Sequence, residues 1–435
     1  MTQAVFSPFN SATFISSSPL PFPSSTPPLN SLPQLPIMTT IVLPPELLTL
    51  IFEHLPQSDL HTCTKVDQLF HATATPILWR SPSFLHPASL HLFSRCLTIA
   101  KEPRGKLVRS LHFSELDLNT YVNDDFLLTI APHLPLLDLL DLSSCQSVTD
   151  RSLIPLATHC PALEVLLLES SPCTLRTLFE LAHQCPHLRV LNLRAAQNLP
   201  HLALLPFTRH RHLSSLVLTD CRWLADDTAQ DIRRLPRLRS LELINCRSLS
   251  DVFLRALATG DLTDLMNVYL SGNPALTDAG IVPFVEAHPA LHEISLARCA
   301  ITDVTIHTVA TRLPALRLLD VAFCAVTSAA IRTCVVRCPD LEMVGLTGCE
   351  DAAAADFPEL GFEGGELDVL WLDQIAMIRT VEMERLEREM LEAEEMEGEG
   401  AGASGAELRE AEIENDGKDN EEGEGEEEDE MEQED

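Results

Sequence analysis

Basic side chains are scarce in this 435-residue chain, where 30 Lys and Arg stand against 64 Asp and Glu for a formal net charge of −34. Phosphate backbones are bound through clustered Lys and Arg, so this balance argues against nucleic acid as a general partner. Long apolar runs are missing too: none approaches the roughly 18 residues that cross a bilayer, which predicts a soluble protein without a membrane partner. Charge is absent from the first 45 residues, whose Ser- and Pro-rich stretch has neither the basic flank of a secretory signal nor the arginines of a transit peptide. Residues 1–40 are therefore expected to form a disordered leader.

The residue patterns of catalysis are equally absent. There is no phosphate-cradling Gly loop, no Gly-x-Ser-x-Gly elbow and no His-Glu-x-x-His helix. The 16 histidines lack metal-ligand spacing with Cys, Asp or Glu, and no RING-like cysteine pattern occurs. The chain is read as no enzyme, with no cofactor and no metal. Its 13 cysteines contain no Cys-x-x-Cys pair and are odd in number, which fits a reducing compartment, cytoplasm or nucleus.

What the sequence does contain is a repeat. Leucines at 137, 163, 188, 213, 238, 265, 291, 316 and 341 open a common frame, at intervals of 25 to 27 residues. The clearest copy runs from Leu291 to Leu313: Leu291, Ile294, Leu296 and Cys299 occupy positions 1, 4, 6 and 9, followed by Ile301 and the pair Thr302-Asp303. Position 9 is also cysteine at Cys145, Cys221, Cys246, Cys324 and Cys349, so these thiols read as small buried residues. This is the Cys-bearing leucine-rich-repeat signature. Each unit predicts a short strand, a helix capped by Thr302 or Asp303 in this copy, and a Pro-marked stop. Weaker copies at Val108, Leu111, Phe113 and at Leu367, Leu370, Leu372 are expected to close the stack.

One such unit cannot fold alone, because ordering its backbone costs more than its few buried aliphatic side chains return. Stacked strands lie roughly 4.8 Å apart, whereas packed helices need about 8–10 Å. The expected fold is therefore an α/β right-handed βα horseshoe over residues 107–373, with the strands lining its concave side.

Upstream, Val42 to Ser81 resembles an F-box. Leu43-Pro44, Glu46-Leu47-Leu48, Ile51-Phe52, Leu55-Pro56, Asp59-Leu60, Cys63, Val66 and a closing Trp79 stand in that family's order, with Phe70 where the family often carries Trp. Local chemistry agrees: Pro45 suits a first helical turn, Pro56 ends that helix, and Ser58 or Asp59 is placed to cap the next. The resemblance implies a three-helix domain over residues 41–81 that binds a Skp1-type adaptor, and through it a cullin and a RING protein. The adaptor contacts it implies are Leu43, Pro44, Glu46, Leu47, Leu48, Ile51, Phe52, Leu55, Leu60, Val66 and Trp79.

The whole is similar to F-box and leucine-rich-repeat proteins of the fungal type, the substrate receptors of Skp1–cullin–F-box ubiquitin ligases. The alternative is a repeat scaffold that sequesters a partner, like the mitotic-exit antagonists with similar Cys-type repeats. Residues 82–106 read as a rigid helical link.

In either case an unknown protein target is expected on the concave face. Strand positions 3, 5 and 7 assign it Asp141, Val165, Leu167, Glu169, Arg194, Val217, Glu242, Ile244, Tyr269, Glu293, Leu318, Asp320 and Trp371, with Arg298 and Phe323 one step beyond. Acids outnumber bases there, which points to a target contacted through apolar and basic side chains. An arginine group at Arg209, Arg211, Arg233, Arg234, Arg237 and Arg239 reads as a solvated convex face or as a dock for the acidic tail.

Residues 374–396 predict a closing helix, and 397–435 a disordered tail. Residues 391–435 alone carry 22 acidic and 2 basic side chains, hence −20 of the net −34.

Overall fold

The computed structural model describes residues 43–84, 86–99, 103–114, 118–361 and 367–411. The leader assigned to residues 1–40 lies outside the described residues, as does the tail beyond Ala411.

Three helices come first: α1 (Pro45–Phe52), α2 (Gln57–Cys63) and α3 (Gln68–Arg80). Pro45 sits in the first turn of α1, and the chain enters α2 through Pro56 without a side-chain cap from Ser58 or Asp59. Asp67 caps α3 by accepting from the Phe70 N–H. Leu48, Phe52, Leu60, Ala74 and Leu78 form a small core of their own. Helix α4 (Pro87–Ile99) then leads into the repeats.

Eleven three-residue strands follow, one in each unit: β1 (Ser110–His112), β2 (Leu139–Asp141), β3 (Val165–Leu167), β4 (Val190–Asn192), β5 (Ser215–Val217), β6 (Ser240–Glu242), β7 (Asn267–Tyr269), β8 (Glu293–Ser295), β9 (Leu318–Asp320), β10 (Met343–Gly345) and β11 (Val369–Trp371). They make one sheet in sequence order, parallel from β1 to β10. The last strand runs antiparallel to β10, with Met343 opposite Trp371. A further parallel copy was expected there. Among its described residues, the segment between these strands forms 3₁₀ turns at Ala354–Asp356 and Pro358–Leu360.

The opposite layer holds α5 (Asp124–Ile130), α6 (Asp150–His159), α7 (Leu175–Gln184), α8 (Ala229–Ile232), α9 (Asp251–Ala258), α10 (Asp278–Ala287), α11 (Asp303–Arg312) and α12 (Ser328–Arg337). The layer thins between α7 and α9. Pro200 and Pro206 interrupt that stretch, leaving a 3₁₀ turn at Leu205–Arg209 and the single turn of α8. A final helix, α13 (Leu372–Ala411), runs past the expected end at residue 396. Its Ile375 and Ile378 are buried against the last unit and anchor the start of the helix.

Two ladders join the units. At the helix N-termini, Thr149, Thr174, Ser250, Thr277, Thr302 and Thr327 each cap their own helix. Each also donates its N–H and hydroxyl, at 2.5–3.0 Å, to the first-turn aspartate of the preceding unit: Asp124, Asp150, Asp226, Asp251, Asp278 and Asp303 respectively. Thr302 is thus the cap, and Asp303 serves the next unit. On the inner side the position-9 thiols point back: Cys221, Cys246, Cys299, Cys324 and Cys349 donate to carbonyls one unit earlier at 3.1–3.3 Å. Burial pushes Cys221 and Cys324 up to about 12, so they remain thiols. Asn273 replaces the cysteine in one unit and donates to Leu243 O and Leu270 O, both at 2.7 Å.

The aspartate ladder predicts a pH dependence. Partial burial raises the carboxyl pKa values of Asp124, Asp150 and Asp278, but hydrogen bonds from the Thr and Ser hydroxyls outweigh it and hold all three below the ordinary value. A carboxyl depressed in the folded state adds stability that is complete above its unfolded pKa of about 4 and is lost as pH falls through the folded value. The thermal midpoint should therefore be level from neutral pH down to about 5 and then decline. An Asp278→Asn variant should start lower and lose less on acidification; parallel curves for the two proteins would contradict this account.

Candidate functional site

Helix α1 is amphipathic in an unusual sense, since only Leu48 and Phe52 of its apolar residues point into the three-helix core. Leu47, Leu50 and Ile51 stand 47, 57 and 47% exposed, and Leu43 and Val66 are exposed as well. Pro44 and Glu46 lie on the same exposed stretch, while Leu55 is half-buried. Four of the residues that the resemblance implied as adaptor contacts are packed inward. Leu48, Phe52 and Leu60 are only 3% exposed and hold the core. Trp79 faces away, packed between that core and the repeat core. Leu50, not singled out in the sequence, joins the exposed group; its neighbours at Leu47 and Ile51 were the signal.

On the concave side, each strand spans positions 3 to 5 of its unit. Position 4 is buried in every strand, and the side chains at 3 and 5 line the inner face. Val165, Leu167, Glu169, Arg194, Val217, Glu242, Ile244, Tyr269, Glu293, Leu318 and Asp320 are half-buried to exposed along it. Asp141 is the exception at 7% exposure. Burial raises its pKa, but hydrogen bonds with His112, Ser143 and Ser114 prevail and bring it down to about 2. It is an ionised structural group at the N-terminal end and is withdrawn from the contact surface.

Three of the remaining acids are fixed by neighbouring hydroxyls. Thr219 donates to Glu242 at 2.5 Å, Tyr269 donates to Glu293, and Ser295 donates to Asp320 at 2.8 Å. Burial and the adjacent Glu293 carboxylate raise the Tyr269 pKa, so it stays a donor. Arg194 is neutralised by Glu169 at 3.8 Å and Asp220 at 3.7 Å. The centre of the face is therefore a strip of preoriented carboxylates. Its C-terminal end is apolar, with Leu318, Met343 and the 56%-exposed Trp371 adjacent across β9, β10 and β11.

Comparison with known proteins bears on both parts. A family described as F-box-like matches residues 41–85. The chain pairs an F-box-like domain with a leucine-rich-repeat solenoid. Among curated proteins, the antagonist of mitotic exit network protein 1 of Eremothecium gossypii is 29% identical over 228 residues. That alignment covers 51% of this chain and 51% of the relative, so the chain spans about half the length of the curated relative it matches. Among solved structures, one of a Rad7 and Elc1 complex in yeast superposes with a TM-score of 0.47 at 16% identity, over 71% of this chain and 90% of the other. An internalin of Listeria monocytogenes gives 0.41 at 16% identity, over 73 and 84%.

The F-box-like domain and the solenoid are joined by stacked aromatic rings. Trp79 stacks on Phe93 at 6.0 Å between centroids, Phe93 meets Phe84 edge-on at 5.1 Å, and Phe84 stacks on Phe113 of the first unit at 5.6 Å. Arg104 lies 5.6 Å over the Trp79 ring, and Ser110 donates to Ser81 at 2.8 Å. The helical domain is thereby held in a fixed relation to the sheet. Among the described residues no helix is long and apolar enough to cross a membrane, and no cluster of His, Cys, Asp or Glu could hold a metal. Taken together, these surfaces make a protein that binds partners.

Proposed function

We propose that this chain is the target-recognition subunit of a Skp1–cullin–F-box-type ubiquitin ligase, acting in the cytoplasm or nucleus. Residues 41–81 hold a Skp1-type adaptor, and the concave face presents a protein target for ubiquitin transfer by an enzyme elsewhere in the assembly. The observation that carries the reading is the outward stripe of Leu47, Leu50 and Ile51 on α1, in a domain whose own core uses the opposite side of the helix. A small helical unit that leaves several large aliphatic side chains in water is completed by a partner. The chemistry is proximity: two bodies held at a fixed separation react as if concentrated.

Co-purification with a Skp1-type adaptor tests this. A Leu47→Asp, Ile51→Asp double variant should lose the adaptor by about a hundredfold or more, as expected of central apolar anchors. Both positions are exposed, so thermal unfolding and target capture should be unchanged. Retention of the adaptor by the variant, or its absence from the wild-type protein, would overturn the proposal. The likeness to a mitotic-exit antagonist supports a second reading, a scaffold that sequesters its partner. That reading gains if adaptor is bound but captured target is not ubiquitinated in a reconstituted assembly.

A further inference from the structure

One backbone site repeats nine times along the solenoid. Position 8, just after each strand, takes a left-handed φ between +54° and +77° at Ser144, Ser170, Ala195, Asp220, Asn245, Gly272, Arg298, Phe323 and Gly348. Seven of these are glycine or small residues. Arg298 and Phe323 are the large ones, and a bulky side chain there is an outlier. They are consecutive along the row and in contact: the Arg298 guanidinium lies 4.0 Å from the centroid of the Phe323 ring. The next unit is shaped to receive that ring. A Cβ on Gly348 would sit 2.5 Å from two Phe323 ring carbons, and one on Gly345 would sit 2.6 Å from an Asp320 carboxylate oxygen.

Strain of this kind persists where surrounding contacts enforce it, and it concentrates at ligand clamps. The Phe323 ring is nevertheless 48% exposed and contributes little to the core. Arg194, on the same side of the sheet, has two carboxylate partners, whereas Arg298 has none within 4 Å among the described residues. A guanidinium held over a ring by its central carbon still has N–H groups to offer for two-point binding of a carboxylate.

We propose that Phe323 and Arg298 form a clamp for a carboxylate side chain of the protein target, with an apolar side chain of the same segment resting on Leu318, Met343 and Trp371. This deepens the concave-face reading and rests on it. Glu293 and Asp320 on the adjoining strands disfavour the second charge of a phosphate, so the clamp selects a carboxylate. The apolar row lies across β9, β10 and β11 and the clamp just beyond β8 and β9, so one short segment of the target can meet both.

A random library of displayed peptides of about twelve residues, selected on the full-length chain, tests the clamp. Enriched peptides should carry Asp or Glu together with an aliphatic or aromatic residue on the same short segment. Arg298→Ala should weaken them about tenfold or more, the scale of a charge-assisted hydrogen-bonded pair. Changing the peptide acid to its amide should cost the same, and the two losses should not add. Phe323→Asn, which suits the left-handed backbone, should also lose binding while leaving the thermal midpoint in place. Arg255→Ala on the convex side should change nothing. The proposal falls if no peptide is enriched, if Arg298→Ala binds like wild type, or if phosphoserine at the acidic position binds more tightly than the carboxylate. None of these outcomes touches the adaptor assay, so failure of the clamp and failure of the F-box assignment are separable.

Discussion

Replacing Arg332 with Ala should cost the C-terminal cap about 3–5 kcal/mol, the scale of removing one partner from a buried charge network. The side chain leaves α12 only 17% exposed and gathers three separate segments. It donates to Glu382 of α13 at 2.9 Å, to Glu359 at 3.0 Å and to the Asp356 carbonyl at 2.8 Å, with its guanidinium 5.0 Å over the Phe357 ring. Burial alone lowers its pKa, but the two glutamates outweigh this and raise it above its ordinary value. Without Arg332 the Glu359 and Glu382 carboxylates, at 9 and 7% side-chain exposure, share a pocket with only Arg385 near one of them. The thermal midpoint should fall by roughly 6 °C or more, and hydrogen exchange over residues 372–393 should accelerate. Adding Glu359→Gln and Glu382→Gln should restore part of the loss, because the stranded charges are then gone. A midpoint within about 2 °C of wild type would show that α13 is held by Ile375 and Ile378 alone.

This anchor was not legible in the sequence, for a reason that applies to much of the molecule. Leucine spacing fixes strand positions and the position-9 cysteines because both are local and periodic. The F-box-like segment is likewise readable from a contiguous order of Leu, Pro and acidic residues. Arg332, Glu359 and Glu382, by contrast, meet from positions 27 to 50 residues apart with no periodic mark. The aspartate ladder hides differently. Thr302-Asp303 looks like one helix start with two possible caps, yet the aspartate's partner is the next unit's Thr327.

The row of left-handed residues is invisible because its occupants share no chemistry: Ser, Ala, Asp, Asn, Gly, Arg and Phe all stand there. Only the backbone shows that Arg298 and Phe323 occupy a site that glycine fills twice. Alternation placed most inner-face residues but misled at Asp141. There the N-terminal end covers the carboxylate with Ser143, Ser114 and His112, and period alone says nothing about such covering. The same period-based frame predicted a parallel last strand. The strand instead runs antiparallel to β10, with Trp371 opposite Met343.

Phe84→Ala should uncouple the two partner-binding surfaces without removing either. Phe84 is 5% exposed and touches both Phe93 and Phe113, so its loss opens a cavity at the joint and costs about 3–5 kcal/mol locally. The exposed stripe proposed to hold the adaptor, Leu47, Leu50 and Ile51, lies on α1, and the inner face begins beyond β1; neither includes the ring. Calorimetry should therefore resolve the F-box-like domain as a separate, earlier transition, as expected of a small core freed from its support. Affinities for adaptor and for clamp-binding peptides should stay within about twofold of wild type, since neither contact surface is altered. Target ubiquitination in a reconstituted assembly should nevertheless fall roughly tenfold or more, because a swivelling joint dilutes the target around the transfer enzyme. A single transition at the wild-type temperature would mean that the ring stack is dispensable. A clean split in unfolding with undiminished transfer would instead show that binding, without a fixed separation, is enough.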